Sequence, residues 1–196
     1  IEFKMKKNCQ IICPKTPLYR SLEIKNEIET ECLFGEYFLV SDKIDGWSFG
    51  TLLTDNYKGW LKTNALGPTH KNNHIVISKS SNIYSLPNAK STILNYLSVG
   101  SQLYVKKINK GWAEIEFFNF KKKCNGFVPY NHLAKVNKMS KNWIKFSKQL
   151  LNIPYVWGGR SCSGIDCSAL LQLSIKCVGI NLPRNTNEQI LFMKSS

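Results

Sequence analysis

An internal repeat with a period of about 65 residues governs what the first two thirds of this 196-residue chain can become. Gly35-Glu-Tyr-Phe-Leu-Val40 returns as Gly100-Ser-Gln-Leu-Tyr-Val105, and Gly46-Trp47 returns as Gly111-Trp112. Gly59-Trp60-Leu61 is matched by Gly126-Phe127-Val128, and Asn64-Ala-Leu66 by Asn131-His-Leu133. The offsets are 65, 65, 67 and 67, so a short insertion in the second copy reconciles them. Each copy alternates short apolar runs with Gly, Asn and Asp turns, the pattern of strands joined by hairpins. Phe38–Val40, Trp47–Phe49 and Gly59–Leu61 read as successive strands of a small, nearly closed sheet. Trp47 and Trp112 read as packing anchors of two core-forming β modules. His132 replaces Ala65 of the first copy, so the module does not require an imidazole there; it reads as a surface or edge residue.

The period changes after residues 134–142, a polar stretch without β alternation that reads as a domain boundary. Trp143, Phe146 and Leu150 fall at helical spacing, ahead of a stop at Pro154. Residues 154–172 then carry the chemistry. Gly158, Gly159 and Gly164 allow a tightly turning approach, and Asp166 is a good helix N-cap. Apolar or small residues at 167, 170, 171, 174 and 178 predict the following helix, closed by Gly179. Cys167 therefore lies in a first helical turn, where unpaired N–H groups stabilise negative charge on sulfur and could also receive the oxyanion of an attacked carbonyl. The same position suits a small apolar residue docked against a sheet, and residue types alone leave both readings open. Cys177, further along the helix, reads as packing.

Two resemblances add to this reading. G-E-x-x-x-V, G-W and G-W-L, all between positions 35 and 61, resemble the bacterial SH3 (SH3b) module, here in tandem. P-Y-x-W-G-G-R-S, G-I-D-C-S-x-L-x-Q, Gly179-Ile-x-Leu-Pro-Arg184-Asn-Thr and Gln189 resemble the start of an NlpC/P60 cysteine-peptidase domain. Ala169 stands where that family usually has Gly, and Asn185 where Asp is common. The implied fold is mainly β with an α+β part: SH3b-like barrels at 1–68 (with an N-terminal extension) and 69–137, then the N-terminal helical part of a papain-like domain at 138–196. The combination resembles the subgroup that cleaves γ-D-glutamyl-diamino acid bonds in murein peptides with a free N-terminal L-alanine. It implies Cys167 as nucleophile, Tyr155 beside it in the cleft, and Asp166 and Ser168 holding the substrate's amino end and backbone; capping explains Asp166 nearly as well. Asn185 and Thr186 match another substrate loop. Glu36 and Tyr57 resemble first-module residues that close the site over the peptide's N-terminus. The family's base is a His well beyond the Cys in sequence, whereas nothing between Cys167 and Ser196 is His. The expectation is a C-terminally truncated chain, inactive or nearly so alone.

Composition excludes other classes. The formal charge of +14 invites a nucleic-acid reading, but 24 of the 27 basic residues are Lys, scattered along the chain. Lys, Asn and Ile fill 61 of 196 positions, so the charge reads as solvated surface rather than the Arg-rich face of a nucleic-acid reader. The spacing of the seven cysteines gives no zinc pattern, and His70 and His74 lie in a polar stretch that reads as a surface linker. No metal or organic cofactor, nucleic acid or membrane is expected; oligomeric state is left open. Free thiols, and the lack of any apolar run long enough to span a bilayer as a helix, point to a cytoplasmic, recycling role. A non-catalytic SH3b binder of wall peptides with a remnant hydrolase domain is the alternative, and an acyltransferase or amidase on the same scaffold a third.

Overall fold

The computed structural model describes residues 6–23, 27–119, 122–136 and 141–195. The boundary expected between residues 137 and 138, and the start of the expected N-terminal extension, lie outside the described residues. The chain is mainly β, with an α+β C-terminal part. The first sheet contains β1 (Lys7–Ile11), β2 (Lys15–Tyr19), β3 (Ile28–Leu33), β4 (Tyr37–Ile44), β5 (Trp47–Leu52), β6 (Tyr57–Lys62) and β7 (Leu66–Gly67), in the order β3-β2-β6-β5-β4-β1-β7. The second contains β8 (His74–Val76), β9 (Ser80–Tyr84), β10 (Ile93–Ser98), β11 (Gln102–Asn109), β12 (Trp112–Asn119), β13 (Lys122–Pro129) and β14 (Leu133–Lys135). Its order, β10-β9-β13-β12-β11-β8-β14, repeats the first strand for strand.

Local rules explain the correspondence. Asp45-Gly46 and Lys110-Gly111 have positive φ at both residues (44° and 80°; 45° and 80°), the two-residue turn whose twist suits a hairpin. The register shifts between Val40 and Asp42 in one copy and between Val105 and Lys107 in the other, placing the irregularity at the same point. Trp47 meets the edge of Tyr19 and Trp112 the edge of Tyr84, at 5.6 and 5.4 Å between ring centroids. The two indoles thus make the same packing contact in the two modules.

The modules lock together through one turn. Phe34, between β3 and β4, buries its ring in the core of the second module beside Leu97, Leu103 and Phe117. Gly35 has φ +80°, and a Cβ there would lie 1.8 Å from the Gln102 carbonyl oxygen. Only glycine allows that approach.

The last segment comprises α1 (Trp143–Gln149), the two-stranded β15 (Arg160–Ser161) and β16 (Gly164–Ile165), α2 (Cys167–Lys176) and α3 (Thr186–Lys194). Phe146 and Leu150 of the α1 stripe are buried, while Trp143 is exposed. The face of α2 differs from the one expected. Ala169, Leu173 and Cys177 enter the core with Leu33 of the first module and Val99 of the second, whereas Leu170 faces out. The physical reason is polar: buried Gln172 and Lys176 on the same side have acceptors in the first module, and these fix the helix's rotation. Cys177 is packed as expected, with burial pushing its thiol up to about 12. Among the described residues, no helix is long and apolar enough to cross a membrane.

The histidines depart from the linker reading. His74 is buried in β8 against Tyr130 and pairs with Asn73, and burial lowers its pKa. His70 stacks on Phe118 with centroids 5.0 Å apart. The stretch between the modules is short enough that both rings are caught in their packing.

Candidate active site

The site is assembled where α2 begins. Asp166 caps the helix, its Oδ1 accepting the Ala169 N–H at 2.8 Å. The cap satisfies that donor and leaves the N–H groups of Cys167 and Ser168 without intrahelical acceptors. Upstream, Gly158 has φ +72° and runs so close to β3 that a Cβ would lie 2.8 Å from the Ile28 carbonyl oxygen. Its N–H donates to Asp166 Oδ2 at 3.1 Å, and the Asp166 N–H donates to the Gly159 carbonyl at 3.2 Å. The glycine-rich approach is thereby folded back onto the helix start.

Arg184 closes the network from the far side. Its Nη1 and Nη2 donate to the two Asp166 oxygens at 3.0 and 2.6 Å, and Nη1 donates to Ser168 Oγ at 2.6 Å. Its Nε donates to Thr30 Oγ1 of β3 at 2.7 Å, so one guanidinium ties the helix cap to the first module. Burial alone would raise the Asp166 pKa, but hydrogen bonds from Arg184 and Ala169 outweigh it and hold the carboxyl below its ordinary value. Gln189 of α3 donates to the Ser168 and Pro183 carbonyls, anchoring the loop that carries Asn185 and Thr186.

These elements enclose a cleft of about 230 Å³. Cys167 is the one exposed thiol among the seven and lines it, as do Tyr155, Asp166, Ser168, Asn185, Thr186 and, from the first module, Tyr57. Seven of the eight residues expected at the site are therefore brought together. Glu36 is not. Its carboxylate is wholly buried outside the cleft lining, paired with Arg160 and Lys176, with no free face for a ligand.

The first-module carboxylate that lines the cleft is Glu29, which the sequence reading missed. Its Oε2 accepts the Tyr57 hydroxyl at 2.6 Å, and its Oε1 pairs with exposed Arg20 at 2.7 Å. Burial and that hydrogen bond push the Tyr57 phenol up to about 12, so it is a neutral donor at physiological pH. A signal was available. Glu29, Glu31 and Glu36 correspond at an offset of 65 to Leu94, Tyr96 and Ser101, so only the first copy carries acids there. Trp157, three-quarters exposed, and Arg184 also line the cleft without having been singled out.

Chemically, the cleft offers an accessible thiol at a helix N-terminus on one side and a carboxylate–phenol pair on the other. None of the chain's three histidines lines it: His132 bonds Ser81 in the second module, while His70 and His74 pack as described above. Among the described residues, no group of three or more His, Cys, Asp or Glu is placed to hold a metal ion.

Comparison with known proteins places both ends of this arrangement. Residues 18–66 match the bacterial dipeptidyl-peptidase SH3 domain, and residues 152–196 match the NlpC/P60 family. A γ-D-glutamyl-L-lysine dipeptidyl-peptidase of Bacillus subtilis (strain 168) is 27% identical over 178 residues, covering 84% of this chain and 58% of the relative. The dipeptidyl-peptidase 6 of Lysinibacillus sphaericus is 21% identical over 201 residues, covering 91% and 72%. The chain thus spans little more than half of the Bacillus subtilis relative. A crystal structure of an NlpC/P60 family protein from Bacillus cereus ATCC 10987 superposes with a TM-score of 0.78 at 18% identity, covering 93% of this chain and 76% of that one; it shares the fold.

Proposed function

From a chain whose residues 152–196 belong to the NlpC/P60 family and whose residues 18–66 form a bacterial dipeptidyl-peptidase SH3 domain, we propose a cysteine peptidase of peptidoglycan peptides. Its substrate is L-Ala-γ-D-Glu-diamino acid with a free N-terminal amine, cleaved after the γ-D-glutamyl group. The observation that carries the reading is the pairing of an exposed Cys167 with the Glu29–Tyr57 pair across one cleft. The first module supplies the negative wall that a free ammonium needs and a barrier to longer chains.

In this mechanism Cys167 Sγ, as thiolate, attacks the γ-carbonyl carbon and forms a tetrahedral oxyanion held by first-turn N–H groups. The C–N bond then breaks, the amine of the diamino acid leaves with a proton, and water hydrolyses the thioester. The reaction uses no metal or organic cofactor, and a general base must take the thiol proton and return it. Residues 1–196 place no imidazole at Cys167, so they bind the peptide and turn it over slowly or not at all. The cytoplasmic recycling role belongs to the same proposal.

Substituting Cys167→Ala in the full-length protein, with release of the L-Ala-γ-D-Glu dipeptide followed by mass spectrometry, tests the reading. Activity is expected to vanish, and persistent cleavage would refute the nucleophile. Peptide binding without turnover by the full-length protein would instead favour a non-catalytic binder of wall peptides.

A further inference from the structure

Glu36 occupies an unusual environment for a residue first expected in the cleft. Its carboxylate is fully buried and accepts five hydrogen bonds: from Arg160 Nη1 and Nη2 at 2.9 and 2.8 Å, Lys176 Nζ at 2.7 Å, Thr54 Oγ1 at 2.9 Å and the Leu33 N–H at 2.8 Å. Two cations and one carboxylate are thus desolvated together. A buried ion cluster contributes little net stability compared with apolar packing, and in some proteins such groups specify one geometry. Its members also come from separate parts of the chain: Glu36 from the turn after β3, Arg160 from β15 and Lys176 from the last turn of α2.

That placement connects the two halves of the cleft. Glu29 and Glu31 both lie on β3, and Glu31 accepts the Arg160 N–H at 2.9 Å through its side chain. Arg160 Nη1 also donates to the Glu31 carbonyl at 2.8 Å. Gly159, immediately before Arg160, accepts the N–H of Asp166, the residue before Cys167. Lys176 holds the opposite end of the helix that Cys167 begins. The position equivalent to Glu36 in the second module is Ser101, whose buried hydroxyl has no hydrogen-bond partner among the described residues, so no such clamp forms there.

We propose that Glu36, acting through Arg160 and Lys176, is a positioning residue that sets the span between the Glu29–Tyr57 pair and Cys167. It thereby restricts the cleft to peptides with two residues ahead of the cleaved bond. The specificity part of this inference rests on the function proposed above; the clamp itself does not.

Arg160→Lys keeps the charge but removes the fork that grips both carboxylate oxygens. The test measures, for residues 1–196, calorimetric affinity for L-Ala-γ-D-Glu-L-Lys and for the same peptide extended by an N-terminal Gly, together with amide hydrogen exchange. In Arg160→Lys the preference for the shorter peptide should fall roughly tenfold, the size expected for loss of a charged hydrogen-bonding geometry. Exchange should rise across residues 157–166 and 28–33, with β11–β13 unchanged. Equal weakening for both peptides, or unchanged preference with unchanged exchange, overturns the proposal. Should Arg160→Lys fail to fold, Lys176→Met leaves a neutral Glu36–Arg160 pair and must shift preference and exchange in the same directions; no shift in either overturns the clamp. A wild-type chain with no preference for the shorter peptide refutes the substrate reading instead, and the exchange measurement still decides the clamp.

Discussion

Asp166→Asn separates the two roles that the structure gives one side chain. The amide oxygen of Asn can still accept the Ala169 N–H, so the cap contribution of about 1 kcal/mol should survive. The charge is lost, leaving the Arg184 guanidinium, 2% exposed, with only the hydroxyls of Thr30 and Ser168 and a neutral amide as partners. Removing one partner of a buried ion pair costs about 3–5 kcal/mol, and the remaining neutral acceptors place this case near 3 kcal/mol. Among the described residues the three α-helices lie within residues 143–194, so ellipticity at 222 nm during urea unfolding follows the affected layer. The pH dependence adds a second constraint. The Asp166 pKa is lowered in the fold, so its contribution is fully present above the ordinary aspartate range near pH 4 and disappears as pH falls through the lowered value. The gap between wild type and variant should therefore be constant from about pH 5 to 8 and narrow below about 4. A loss under about 1 kcal/mol, or a gap that persists in acid, would refute the assignment of the Asp166–Arg184 pair as the keystone of the site.

Three further outcomes are expected. Glu29→Gln should weaken binding of L-Ala-γ-D-Glu-L-Lys by about tenfold or more while leaving the N-acetylated peptide unaffected, as calorimetry would show; equal losses would remove Glu29 from the ammonium site. Phe34→Ala empties a buried ring position in the second module's core and should cost about 3–5 kcal/mol there, with faster amide exchange in β11–β13 as the readout. Iodoacetamide should modify Cys167 first and spare Cys177 until the protein unfolds, because only Cys167 is exposed and burial pushes the Cys177 thiol up to about 12; peptide mass mapping that finds Cys177 labelled early would contradict the packing.

Legibility followed the range of the governing interaction. The turns that lead into the repeated Gly46-Trp47 and Gly111-Trp112 were readable because a two-residue turn depends on its own φ angles. The Asp166 cap was readable because the donor it satisfies, the Ala169 N–H, lies within one helical turn. The rotation of α2 was not, since its apolar residues alone did not choose between the face with Leu170 and the face with Leu173. The polar groups of Gln172 and Lys176 made that choice through Asp55 and Glu36, 117 and 140 residues away. His74 was misread for the same reason: polar neighbours in sequence concealed an aromatic neighbour, Tyr130, in space.

By itself, the sequence determined two copies of one β module, a change of period after them, and a cysteine at a capped helix start. These are matters of local periodicity and turn chemistry. Only the tertiary structure decided which of three first-module glutamates faces the cleft and which is sealed away from it. A carboxylate's role depends on what neutralises it, and the cations that claim Glu36 come from 124 and 140 positions along the chain. Glu29, with one oxygen on Tyr57 and the other toward exposed Arg20, is left at the wall of the cleft.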